Sequence, residues 1–235
     1  MSRHLPRFVR HTGIAAPFRQ PGLESELIAP VGVELRDLHA VHLGGRVPLD
    51  AHRHDGSRTG PHAFHGFRYR PDGTEDPGFV LNREPYREAS ILLAGRNFGQ
   101  GSQQAFAVIR LRQCGMRVVI APSFGPVFHE DCFDFGLLPV TLDESVVERL
   151  AARVRANPAI PMTVDLTSER IERPGMPPVP FSIDPRRRSS LLQGRDTTLL
   201  ERLRYGASAD AMRKRDRRRR PWIYDARDRR ERRDP

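Results

Sequence analysis

Apolar positions along the chain come in short runs separated by glycine, proline and charge. Ile91, Leu92 and Leu93 form a continuous apolar run of the kind that makes a strand buried on both faces. The glycine-rich stretch RNFGQGS follows. Ser102 is placed to cap a helix in which Phe106, Ile109 and Gln113 recur at helical spacing until Gly115 ends it. Val118, Val119 and Ile120 predict the next buried strand, and Leu137 to Leu142 a further one after an aromatic segment around Phe128, Phe133 and Phe135. The pattern is a βαβ crossover whose turn resembles a phosphate loop. Residues 143–156 predict an amphipathic helix capped by Asp143, with Val146, Val147, Leu150, Ala151 and Val154 on one face, stopping near Asn157-Pro158. MTVDL, RIE after a Thr167-Ser168-Glu169 turn, and VPFSID predict antiparallel strands, and LLQGRDTTLLERL a helix. FVRHTGIAAPF predicts an N-terminal strand. Residues 36–77 hold many Gly, Pro and His with little periodicity and read as a loop region.

Composition agrees with a globular domain: 38% of the 235 residues are hydrophobic. No apolar run approaches the roughly 18–20 residues of a membrane span, and MSRHLPRFVRHTG carries no apolar segment behind its basic residues, so the expected compartment is the cytoplasm. Cys114 and Cys132 are too few for a disulfide framework or a complete zinc or iron–sulfur site and read as reduced thiols. The formal net charge is +10, of which residues 213–235 contribute +7, leaving a nearly neutral body. The expected organisation is one domain over 1–205 and an Arg-rich, disordered tail over 206–235. The tail reads either as a polyanion-binding arm or as a solvated extension, and nucleic acid is not the expected partner of the body.

Two groups could carry chemistry. His39, His42, His52, His54, His62 and His65 crowd the loop region, but no acidic or cysteine partner stands beside them at metal-site spacing, so no metal is expected there. The glycine loop is more informative. Gly99 and Gly101 allow close backbone approach, and N–H groups opening the following helix suit a carboxylate or phosphate. The same spacing also describes a tight strand-to-helix turn that binds nothing, and it matches neither a Walker loop nor a dinucleotide fingerprint.

The run RNFGQGSQQAFA, followed by RVVIAPSF and GLLPV, resembles the aconitase-type swivelling domain in the form of 3-isopropylmalate dehydratase small subunits. The resemblance begins at FVRHTGIAAPF, resumes at Arg58 to Gly60 and at Asp76 to Asn82, and closes with Phe181 to Thr198. It implies an α/β fold, a three-layer β/β/α domain closing over an active site carried mainly by a large subunit. That subunit would hold a [4Fe–4S] cluster, with none bound by this chain. It further implies a cytoplasmic heterodimeric hydro-lyase that interconverts 2- and 3-isopropylmalate, or a related small hydroxy acid, in leucine biosynthesis.

Residue by residue, the family loop G-C-G-S-S-R-E-H-A stands here as G-Q-G-S-Q-Q-A-F-A. Ser102 falls on the family's catalytic base. Gly99 and Gly101 are kept, and with Gln103, Gln104 and Arg58 they are the expected substrate-binding residues. Gln104 replaces an arginine and gives up its charge, so restoring Arg there is expected to lower KM for a dicarboxylate. The signature D-T-D-x-I-x-P becomes E-S-E-L-I-A-P, and Glu26 is the candidate acid–base or orienting group. The alternative expectation is a divergent, catalytically impaired paralogue that serves as a binding or regulatory partner.

Overall fold

The computed structural model describes residues 5–29, 63–194 and 211–220. The chain divides into two units, Met1–Asp196 and Thr197–Pro235. In the first, the N-terminal apolar segment becomes two strands rather than one. β1 (Arg10–Gly13) pairs antiparallel with β6 (Met162–Asp165), whereas β2 (Ala15–Phe18) pairs parallel with β3 (Ile91–Ala94) in a different sheet. The break falls at Gly13 and Ile14. A Cβ on Gly13 would lie 2.0 Å from Ser90 Oγ, and the Ile14 carbonyl accepts the N–H groups of both Ser90 and Ile91. A side chain here would have to push Ser90 Oγ off its contact with His11 Nε2, so glycine suits the crossing between sheets beside the start of β3.

The parallel sheet runs in the order β2-β3-β4-β5, with β4 at Val118–Ala121 and β5 at Leu138–Thr141. Its strands alternate between two cores, as a two-residue period requires. Leu92, Ala94, Val119 and Ala121 face one core together with Val108 and Leu111 of α3 (Gln104–Gln113) and Phe128 and Cys132 of α4 (Pro126–Asp134). Ile91, Leu93, Val118, Ile120 and Val140 face the other. There they meet Val147, Leu150, Ala151 and Val154 of α5 (Glu144–Ala156) and Val164 and Ile171 of the antiparallel sheet β1-β6-β7-β8, in which β7 is Arg170–Glu172 and β8 is Val179–Pro180. The predicted strand–helix–strand crossover is therefore β3-α3-β4.

Three expectations are corrected, and the aromatic segment, to which the sequence pattern assigns no element, is placed. The helix after the glycine loop takes Gln103, not Ser102, as its N-cap. The aromatic segment is the helix α4, opened by Pro126, whose missing N–H costs nothing in a first turn. The third antiparallel strand is confined to β8 (Val179–Pro180), beside β7 (Arg170–Glu172), because Asp184 turns to cap α6 (Pro185–Gln193) by accepting the N–H groups of Arg186 and Arg187. That last helix starts ahead of the predicted one and ends at Gly194, whose φ of 65° is a left-handed cap; residues 195–203 lie outside the described residues.

In the second unit, residues 211–219 are helical within the stretch expected to be disordered. Good helix formers and the Asp216–Arg220 pair, one turn apart, account for it. Residues 221–235 lie outside the described residues.

Candidate active site

The glycine loop leaves β3 and is strapped on both sides before it enters α3. On one side Gly99 N–H donates to the Leu23 carbonyl (2.8 Å) and Ser25 N–H to the Gln100 carbonyl (2.6 Å), with Glu24 and Gln100 bridged in parallel. On the other, Phe98 N–H donates to Ser123 O (3.1 Å) and Gly125 N–H to Phe98 O (2.9 Å). The glycines are required by this crowding. At Gly99, where φ is +74°, a Cβ would sit 2.4 Å from the Phe128 ring; at Gly101, where φ is +117°, it would sit 2.2 Å from Glu26 Oε2.

Short helix α1 (Ser25–Ile28) brings Glu26 and Ser25 under the loop. Glu26 Oε1 accepts both the Ser102 hydroxyl (2.6 Å) and the Ser102 N–H (2.7 Å), and its Oε2 accepts the Ser25 hydroxyl (2.9 Å). Ser25 Oγ in turn accepts Gln103 N–H (3.0 Å). The amides of Ser102 and Gln103, just ahead of α3, are thus satisfied by Glu26 and Ser25 of another segment, and the Ser102 hydroxyl donates to Glu26. The two hydrogen bonds from Ser102, hydroxyl first, hold the Glu26 carboxyl down from 4.5 to about 2, so it is a carboxylate at neutral pH. Gly101 and Ser102 are exposed and Glu26 is half-buried, so the pair is displayed at the surface.

The structure brings together Glu26, Gly99, Gly101, Ser102, Gln103 and Gln104. Gln104 turns inward: its Nε2 donates to the Gly101 carbonyl and its Oε1 accepts Phe128 N–H, both at 2.7 Å. Arg58 lies outside the described residues, as do His39, His42, His52, His54 and His62. His65 opens the one-turn helix α2 (His65–Arg68), with its ring against Tyr69. Ser25, fully buried, was not singled out from sequence. Its signal is the hydroxyl residue between two acids in ESE, readable only once the glycine loop is known to lie against it.

Among the described residues no group of three or more His, Cys, Asp and Glu side chains comes together. An iron–sulfur cluster does not fit the two thiols present. Cys132 is enclosed in the core, and burial raises both it and Cys114 away from the thiolate form that ligation needs.

Comparison with known proteins first defines the class. Residues 58–145 match the aconitase C-terminal domain. The crystal structure of a 3-isopropylmalate dehydratase from Methanocaldococcus jannaschii superposes with a TM-score of 0.53 at 19% identity, covering 86% of this chain and 99% of that one, which establishes the fold. Within that class the sequence relatives are narrower. The 3-isopropylmalate dehydratase small subunit of Rhodospirillum centenum is 38% identical over 93% of this chain and 98% of its own length. That of Cupriavidus necator is 39% identical over 92% and 97%. The chain belongs to the family of 3-isopropylmalate dehydratase small subunits.

Proposed function

We propose that this chain is the small subunit of a hydro-lyase that works with a separate large subunit to interconvert 2- and 3-isopropylmalate. The net chemistry is loss of water across two adjacent carbons and its return in the opposite sense, with no change in overall oxidation state. The observation that carries the reading is the Ser102 hydroxyl held 2.6 Å from an ionised Glu26 on an exposed, glycine-built loop.

Ser102 Oγ exchanges a proton with the substrate carbon. To accept that proton it must release its own, and Glu26 Oε1 is the group placed to take it. Any iron–sulfur chemistry lies with the large subunit, which would hold the cluster that this chain's thiols do not fit.

An open surface is a poor place for proton transfer from carbon, because water screens every charge in it. Leu27, beside Glu26, is 43% exposed and Val127, beside Phe128, is 54% exposed. Burying these apolar groups under the large subunit would dry the loop and close the site. Co-expression with the large subunit tests the reading: the complex is expected to interconvert the two isopropylmalates. Ser102→Ala is expected to lower kcat by at least about 100-fold. A complex that forms and lacks the activity contradicts it.

A further inference from the structure

Gln104 occupies the position where the loop's resemblance to its family points to substrate contact, yet its side chain is engaged by backbone. Phe128 lies in the first turn of α4, where an N–H has no acceptor within its own helix, and Gln104 Oε1 supplies one. At the other end of the same amide, Nε2 holds the carbonyl of Gly101, the residue before Ser102. The slot is tight. A Cβ on Gly125, just ahead of α4, would lie 2.8 Å from Gln104 Oε1 and 2.8 Å from Gln100 Cα.

Such a slot asks for one acceptor and one donor at opposite ends of a planar group, and a primary amide has both. Arginine has donors only and would leave Phe128 N–H without its acceptor; glutamate would set a second oxygen against the Gly101 carbonyl. Methionine matches the length and offers neither hydrogen bond.

We propose that Gln104 is a positioning residue, tying the Gly101–Ser102 turn to the first turn of α4 so that Ser102 Oγ stays on Glu26, and that it is not the ligand of a substrate carboxylate. The proposal rests on the Ser102-centred reading above. It reverses the effect expected of an arginine at this position: Gln104→Arg breaks the tie instead of tightening substrate.

The test uses the complex reconstituted with its large subunit and carrying Gln104→Met, Gln104→Glu or Gln104→Arg. All three are expected to lose about 10- to 100-fold in kcat, with KM for isopropylmalate within about twofold of the parent. Hydrogen exchange in the same complexes is expected to speed up at Phe128 and Ser102 by about tenfold or more and to stay unchanged at Val119 in β4, which separates loss of the tie from global unfolding. A raised KM with kcat kept in Gln104→Met, or a lowered KM in Gln104→Arg, would overturn the proposal, as would unchanged exchange at Phe128. Failure of the Ser102 reading is distinguishable, because it appears as activity surviving in Ser102→Ala while the exchange pattern at Gln104 variants still reports the tie.

Discussion

In the proposed reaction Glu26 and Ser102 form the smallest unit that carries the chemistry, and charge and length constrain it separately. Glu26→Gln keeps an acceptor for Ser102 but removes the negative charge, and it is expected to lower kcat by about 100-fold. Because the two Ser102 hydrogen bonds depress the carboxyl to about 2, the contact is intact above the ordinary carboxyl range and is lost only as pH falls from 4.5 toward 2. The pH–rate profile should therefore have no limb from Glu26 between pH 5 and 9. A wild-type acid limb near pH 6 that disappears in Glu26→Gln would contradict the assignment. Both partners of this pair were legible in sequence, since each falls on a motif position. Ser25 and the inward turn of Gln104 were not, because the first depends on a contact with Gln103 across 78 residues of chain and the second on one with Phe128 across 24.

At the scale of elements, the parallel strands were readable because a short apolar run alternates its residues into two cores, as Ile91 to Ala94 do. α4 was not, because its apolar residues Phe128, Cys132 and Phe133 serve both cores and leave no clean stripe. The N-terminal strand was misjudged as one element because alternation cannot tell which sheet a strand joins. Two consequences can be measured. Gly99→Ala forces a left-handed backbone on a Cβ that meets the buried Phe128 ring, and it is expected to cost about 2–4 kcal/mol in denaturant unfolding; a loss under 0.5 kcal/mol would mean the loop is not held against α4. At the crossing from β1 to β2, His11 Nε2 contacts Ser90 Oγ at 2.8 Å. Burial first, then Arg117 and Arg112, lower His11 from 6.5 to about 4. The folded state thus favours the neutral ring, and stability is full above pH 6.5 and falls as pH drops toward 4. The urea midpoint should decline over that window and do so less in His11→Gln; equal declines in both proteins would show that His11 is not responsible.

For the molecule as a whole, the strongly basic composition misdirects attention. Most of the net charge lies in residues 213–235, and the nearly neutral remainder carries the site. What that remainder presents, on the proposed reading, is half an active site: a serine on an exposed loop and a half-buried carboxylate on α1 beneath it, with Leu27 and Val127 exposed and no thiolate set for a cluster. On the proposed reading a second subunit completes it. The most direct measurement is turnover of 2-isopropylmalate by this chain copurified with its large subunit, beside the same complex carrying Ser102→Ala. The first is expected to form 3-isopropylmalate and the second to lose at least about 100-fold in turnover. Equal turnover by the two complexes, or none by the first, would contradict it.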